Sequence, residues 1–131
     1  IEAQRQALGL AAGKTRGETR VEVDLSQEGG TVDFTIVVVD GSGYQTDTAF
    51  RDRFEPNLLT FKAGQTANLT LAPENTKSAL KHSFTAPGLG INESIKYGQP
   101  TSFTYTFDTP GTYQYFCTVK NQMVGIITVV Q

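Results

Sequence analysis

The stretch Gly111-Thr-Tyr-Gln-Tyr-Phe-Cys-Thr-Val-Lys-Asn-Gln-Met-Val-Gly-Ile-Ile-Thr-Val-Val130 decides the fold. Tyr113, Tyr115 and Cys117 fall on every second position, the period of a strand that turns one face to a core. From Met123 to Val130 the residues are mostly β-branched, a composition that suits a pleated, half-buried surface. A short polar loop joins the two halves, and Pro110-Gly111 turns the chain into the first.

The same period recurs upstream. Phe103, Tyr105 and Phe107 alternate with Ser and Thr, and His82 to Ala86 is a strand-length run broken by Pro87-Gly88-Leu89-Gly90. Before these come Leu58 to Phe61, a turn at Ala63-Gly64, and Gln65 to Leu71, where Ala67, Leu69 and Leu71 share one face until Pro73 ends the strand. Val21, Val23 and Leu25 also alternate, and Glu28-Gly29-Gly30 turns the chain into Thr31 to Val39, a pattern that predicts an antiparallel pair. The polar stretch from Asp40 to Asp52 reads as a long surface loop. Ile1 to Ala12 carries Ala3, Ala7, Leu8 and Ala11 at near-helical spacing among glycines, and reads as a short helix or loose arm. Seven or eight short strands between turns predict an all-β chain folded as a β-sandwich. The division is residues 1–18 as an N-terminal extension and 19–131 as the sandwich.

Composition bounds the partners. The chain of 131 residues is 38% hydrophobic and 18% charged, which suits one folded domain and excludes disorder. A net charge of −2 leaves no basic excess to neutralise a phosphate backbone, so nucleic acid is excluded as a partner. The apolar runs Ile36 to Val39 and Met123 to Val130 fall well short of the roughly 20 residues that cross a bilayer. The chain opens at Ile1 rather than Met, so removal of an upstream segment is expected, one that could be a signal or an anchor.

One Cys, one His and one Met are present, which excludes an internal disulfide and any multi-histidine metal site. Each of the three is a ligand type that copper favours, and Cys117 and Met123 flank a loop of five residues. In blue-copper sites a thiolate and imidazoles form a plane with a weak axial thioether. Rigid strands that hold one compromise geometry keep reorganisation small during electron transfer.

The run Gly111-Thr-Tyr-Gln-Tyr-Phe-Cys117, followed by Met123-Val-Gly-Ile-Ile-Thr-Val, resembles the C-terminal signature of the cupredoxins. Phe54-Glu-Pro56, Leu59-Thr-Phe-Lys-Ala-Gly64-Gln and Lys81-His-Ser-Phe-Thr-Ala-Pro87 resemble the family's strand, turn and first-histidine segments. The likeness runs from about Phe54 to Val130. It implies a Greek-key sandwich holding one copper ion, with His82 as the first imidazole, Cys117 as the thiolate and Met123 as the axial thioether. The Cys117 to Met123 spacing equals that of the amicyanin loop, Cys-x-x-His-x-x-Met, and Lys120 stands where that His belongs. A protonated ammonium has no lone pair to offer a metal. Ser83 occupies the position where cupredoxins commonly carry Asn, whose hydrogen bonds tie the two ligand loops together.

The resemblance further implies a periplasmic or otherwise extracytoplasmic carrier, with a redox partner protein or a copper-handling protein as its counterpart. The incomplete set of His82, Cys117 and Met123 suits monovalent copper, which accepts low coordination and soft donors. Two alternatives stand beside the electron carrier: a copper(I) carrier, and a sandwich that has lost its metal and serves in structure or binding. With one His, no Ser-His-Asp arrangement is available, and no oxyanion-hole motif accompanies the Cys117 and His82 pair. The reading is therefore a non-enzyme. The aromatic ladder from Phe103 to Tyr115 is assigned to the core. The triplets Asn68-Leu69-Thr70 and Asn92-Glu93-Ser94 fit the glycosylation pattern and receive no role.

Overall fold

The computed structural model describes residues 20–39, 53–74, 81–96, 98–120 and 122–131. The expected N-terminal helix or arm and the polar loop after Asp40 lie outside the described residues. Ten strands follow one another: β1 (Glu22–Asp24), β2 (Val32–Val39), β3 (Arg53–Glu55), β4 (Leu58–Lys62), β5 (Gln65–Pro73), β6 (Lys81–Ala86), β7 (Ile91–Lys96), β8 (Thr101–Phe107), β9 (Gly111–Phe116) and β10 (Val124–Val130). A 3₁₀ turn at Pro87–Leu89 separates β6 from β7, where the proline supplies the fixed φ and Gly90 closes the turn at φ 71°.

The strands form two sheets. One has six strands in the order β1-β4-β10-β9-β6-β7, the other four in the order β3-β2-β5-β8. The β-sandwich expected from the alternating pattern is therefore observed. One expectation fails. The strands at Val21 to Leu25 and Thr31 to Val39 do not pair with each other: β1 runs parallel to β4 in the larger sheet, whereas β2 runs parallel to β5 in the smaller. Alternation announces a strand without naming its neighbour, and the link between β1 and β2 crosses from sheet to sheet. Gln65 fixes that crossing. Its Nε2 donates to the Leu25 and Glu28 carbonyls at 2.8 and 3.3 Å, while its Oε1 accepts from the Lys62 N–H at 2.8 Å.

Period two in the sequence becomes one buried face per strand. On β5, Gln65, Ala67, Leu69 and Leu71 point inward while Asn68 is exposed. The inner faces meet in a core that contains Ile36, Val38, Phe54, Leu59, Phe61, Leu69, Leu71, Phe84, Phe107, Tyr115 and Ile127. Burying each such side chain contributes roughly 1.5–3 kcal/mol, and together they offset the entropy of ordering the strands. Phe61 stacks on Phe107 with centroids 4.1 Å apart. Phe54 meets the edge of both Phe84 and Tyr115, at 5.6 and 5.4 Å. Phe84 and Tyr115 lie two residues from His82 and Cys117 respectively, so the packed aromatic cluster is the floor on which those two side chains stand.

Candidate metal centre

His82 lies on β6, and Cys117 follows the last residue of β9. These strands are neighbours in the larger sheet, with Thr85 opposite Phe116. That pairing brings two residues 35 positions apart to one end of the sandwich, where His82 Nδ1 stands 3.9 Å from Cys117 Sγ. Both are buried: His82 is 4% exposed and Cys117 is fully covered. Met123 is also fully buried and belongs to the same core cluster as Cys117.

The loop between Cys117 and Met123 is closed by its own backbone. The Cys117 N–H donates to the Met123 carbonyl at 3.0 Å, and the Met123 N–H donates to the Lys120 carbonyl at 3.0 Å. Pairing Val124 with Phe116 then continues the loop directly into the β9 and β10 ladder. Lys120 enters through its backbone, whose N–H donates to Cys117 Sγ at 3.3 Å.

Ser83, the departure noted in the sequence, does the tying. Its N–H donates to Cys117 Sγ at 3.3 Å, and its hydroxyl oxygen accepts from the Thr118 N–H at 2.9 Å. The same hydroxyl lies 3.0 Å from Thr118 Oγ1 and 3.1 Å from Thr85 Oγ1. A serine thus joins the His82 strand to the Cys117 loop without an amide. The support given by Thr118 escaped the sequence reading, because a polar residue after a cysteine carries no distinguishing signal of its own.

The electrostatics follow from these contacts. Burial pushes the Cys117 thiol up, but hydrogen bonds from His82 and from the backbone N–H groups of Lys120, Ser83 and Val119 pull it down further, to about 7 against an ordinary 9.0. Burial also pushes the Tyr115 phenol well above its ordinary range. The Tyr115 hydroxyl donates to the Pro56 carbonyl at 3.0 Å, so the buried polar group is satisfied.

The donor set can be tested against a metal by distance. A nitrogen at roughly 2.0 Å and a sulfur at roughly 2.3 Å from one ion stand about 3.7 Å apart when the bonds open to 120°, and about 3.5 Å at the tetrahedral angle. The observed 3.9 Å between His82 Nδ1 and Cys117 Sγ lies nearer the trigonal than the tetrahedral value. Among the described residues no three His, Cys, Asp or Glu side chains converge. Met123, buried in the same core cluster, is the third donor expected from the sequence, and an imidazole with two sulfurs would be a soft set suited to copper.

Comparison with known proteins gives the same architecture. The family model described as cupredoxin-like domain matches residues 17–129. No curated protein matches the chain in sequence. Among solved structures, the metal-binding domain of the Cu(I)-exporting P-type ATPase CopA of Streptococcus pneumoniae, determined with Cu(I), has 20% identity and a TM-score of 0.63, over 85% of this chain and 97% of that one. Auracyanin A, a "blue" copper protein of Chloroflexus aurantiacus, has 19% identity and a TM-score of 0.55, over 76% of this chain and 99% of that one. Copper nitrite reductase of Nitrosomonas europaea has 24% identity and a TM-score of 0.59 over 76% of this chain, which spans only 41% of the reductase chain. At these identities the likeness to solved structures is one of fold.

Proposed function

Since the chain belongs to the cupredoxin-like domain family, we propose that it binds one copper ion through His82, Cys117 and Met123 and carries electrons to or from a redox partner protein. The working unit is residues 19–131, and its compartment is extracytoplasmic. The observation that carries this reading is the 3.9 Å approach of His82 Nδ1 to Cys117 Sγ in a buried, hydrogen-bonded setting. Copper, when bound, supplies a one-electron couple.

The chain's own residues supply the rest. The N–H groups of Ser83 and Lys120 hold the Cys117 sulfur in place and favour its thiolate, the form that ligates metal. Ser83 and Thr118 keep the two ligand-bearing segments in register, so the donors move little when charge is gained or lost. Phe54, Phe84 and Tyr115 exclude water beneath the site. The protein works as a carrier rather than as a catalyst.

A second reading is favoured by the donor count. Lys120 stands at the position of the family's second histidine, which leaves three protein donors, two of them sulfur. Such a set suits Cu(I) and its transfer to a copper-handling protein. Copper titration of the reduced protein, followed by visible absorption and electron spin resonance with Cys117→Ser as control, separates the readings. An intense thiolate-to-copper band absent from the control supports the electron carrier. Tight, colourless Cu(I) binding supports carriage. No stoichiometric binding in either oxidation state overturns the copper reading and leaves a metal-free sandwich.

A further inference from the structure

The register of the larger sheet sets two like charges face to face. β6 and β7 form an antiparallel hairpin in which Lys81 lies directly opposite Lys96, followed on the same face by Ser83 opposite Ser94 and Thr85 opposite Asn92. Residues so paired bring their Cβ atoms to about 4.5–5.5 Å, and like charges there are destabilising. Both lysines are exposed, and among the described residues neither makes an ion pair. No carboxylate on that face relieves the opposition. Glu93 pairs with Phe84 on the other face of the hairpin, and β9 adds only Thr112, Gln114 and Phe116 to the outer side.

The pair stands at the end of the sheet that holds the candidate metal centre. Lys81 immediately precedes His82, and Ser83, the next outward residue, donates its N–H to Cys117 Sγ. Lys120 places a third positive charge in the loop between Cys117 and Met123. The opposite pole, where β2 begins and β8 ends, carries Glu28, Asp33 and Asp108 beside Lys62. A chain with a net charge of −2 therefore gathers lysines at the end where His82 and Cys117 meet.

Resting on the copper reading above, we propose that Lys81 and Lys96 together form the docking point for an acidic face of the redox partner protein. A carboxylate seated between the two ammonium groups turns their repulsion into two charge-assisted contacts. Complementary charge also steers the encounter and fixes its orientation. The partner is then held one residue from His82, on the flank of the β6 and β7 hairpin. A bilayer is a poorer match. Ser83, Thr85, Asn92 and Ser94 offer no apolar side chain to enter lipid, and the net negative charge opposes an anionic surface.

Two anionic probes test the proposal on the full chain. Hexacyanochromate(III), paramagnetic and redox-inert, is titrated into the copper-free, isotope-labelled protein, and amide signals around Lys81 and Lys96 should broaden first. That broadening should vanish in Lys81→Gln/Lys96→Gln and persist in Lys81→Arg/Lys96→Arg. Hexacyanoferrate(III) then oxidises the Cu(I)-loaded protein, one electron passing from Cu(I) to Fe(III) to leave Cu(II) and hexacyanoferrate(II). Net charge alone predicts a rate that rises with ionic strength, whereas docking at the lysine pair predicts one that falls. The glutamine variant should react about 10-fold more slowly at low salt, and poly-L-glutamate should inhibit wild type but not that variant. Far-UV circular dichroism verifies the fold of both variants. Failure to load copper removes the electron-carrier reading while the hexacyanochromate arm still decides whether the lysine pair attracts anions. Broadening centred elsewhere, a rate that rises with ionic strength, or glutamine and wild-type proteins that react alike overturns the proposal. So does lysine-dependent binding to phosphatidylglycerol vesicles, which would assign the pair to a membrane.

Discussion

Replacing Gly125 by alanine tests how the floor beneath His82 and Cys117 is built. Gly125 is buried on β10 directly opposite Tyr115 on β9, and the Tyr115 ring lies across the space a side chain would fill. A Cβ at Gly125 would overlap the Cζ, Oη and Cε1 atoms of that ring. The ring has nowhere to retreat. It is fully buried, its hydroxyl is tied to the Pro56 carbonyl, and Phe54 and Phe84 close on it at 5.4 and 4.6 Å.

Forcing an extra carbon into a packed core costs about 1–3 kcal/mol, and losing the buried Tyr115 hydrogen bond adds about 1 kcal/mol. Gly125 is not among the glycines with positive φ. Alanine is therefore compatible with the backbone and returns about 0.5–1 kcal/mol by restricting the unfolded chain. The net expectation is a destabilisation of about 1–3.5 kcal/mol, or roughly 3–17 °C in thermal midpoint for a chain of this size. Chemical and thermal unfolding followed by circular dichroism reads it directly. In a double-mutant cycle, Tyr115→Leu combined with Gly125→Ala should cost less than the sum of the single changes, because removing the ring opens the space the methyl group needs. A neutral or stabilising Gly125→Ala, or an additive cycle, would refute the reasoning, since glycine would then be dispensable against Tyr115.

Other expectations follow from the same contacts. Ser83→Ala removes the acceptor of the Thr118 N–H and should weaken copper binding roughly 10- to 100-fold, as read by competition with a chelator of known affinity. In the copper-free protein, thiolate absorbance near 240 nm should rise with a midpoint of about 7, and His82→Ala should move that midpoint upward. The folded pKa lies below the ordinary 9.0, so the associated stability is fully present above that value and is lost as pH falls through about 7. Unfolding midpoints of the copper-free protein should decline across that window, and Cys117→Ser should flatten the decline. Lys120→His supplies the absent imidazole and should give with Cu(II) a thiolate-to-copper band more intense than that of wild type. An unchanged spectrum in that variant would show that position 120 does not face the ligands.

Local chemistry was legible where it repeats or where it is scarce. β5, β8 and β9 announced themselves by alternation, and the single His, Cys and Met left few ways to assemble a soft metal site. What the residues do not encode locally is pairing. Val21 to Leu25 and Thr31 to Val39 each alternate correctly, yet their partners are Leu58 to Thr60 and Ala67 to Pro73, chosen by the sheet-to-sheet crossing that Gln65 pins. β3 shows no period, because three residues are too few, and only the likeness of Phe54-Glu-Pro56 to a family strand points to it. β7 was hidden because Ile91 and Ile95 are its only apolar residues, four positions apart, a spacing equally at home on a helix. Ser83 was legible as a departure from the family pattern, but only the geometry shows that a hydroxyl does the work of the missing amide.

The route of the chain through the larger sheet decides how the protein can be mounted. Val21 is held at the ligand-loop end, where its N–H donates to Asn57 Oδ1, its carbonyl accepts from the Asn57 and Leu58 N–H groups, and the Asn57 carbonyl accepts from Ile126, three residues beyond Met123. Val130 sits at the far pole, paired with Lys62 and accepting from the Ala63 N–H. A tether joined through the C-terminus would therefore hold the His82 and Cys117 end outward, facing an electrode or an incoming protein. A tether whose chain enters at Val21 is delivered beside that end, on the flank of the six-stranded sheet, and any bulky fusion placed close to Val21 would compete for the approach.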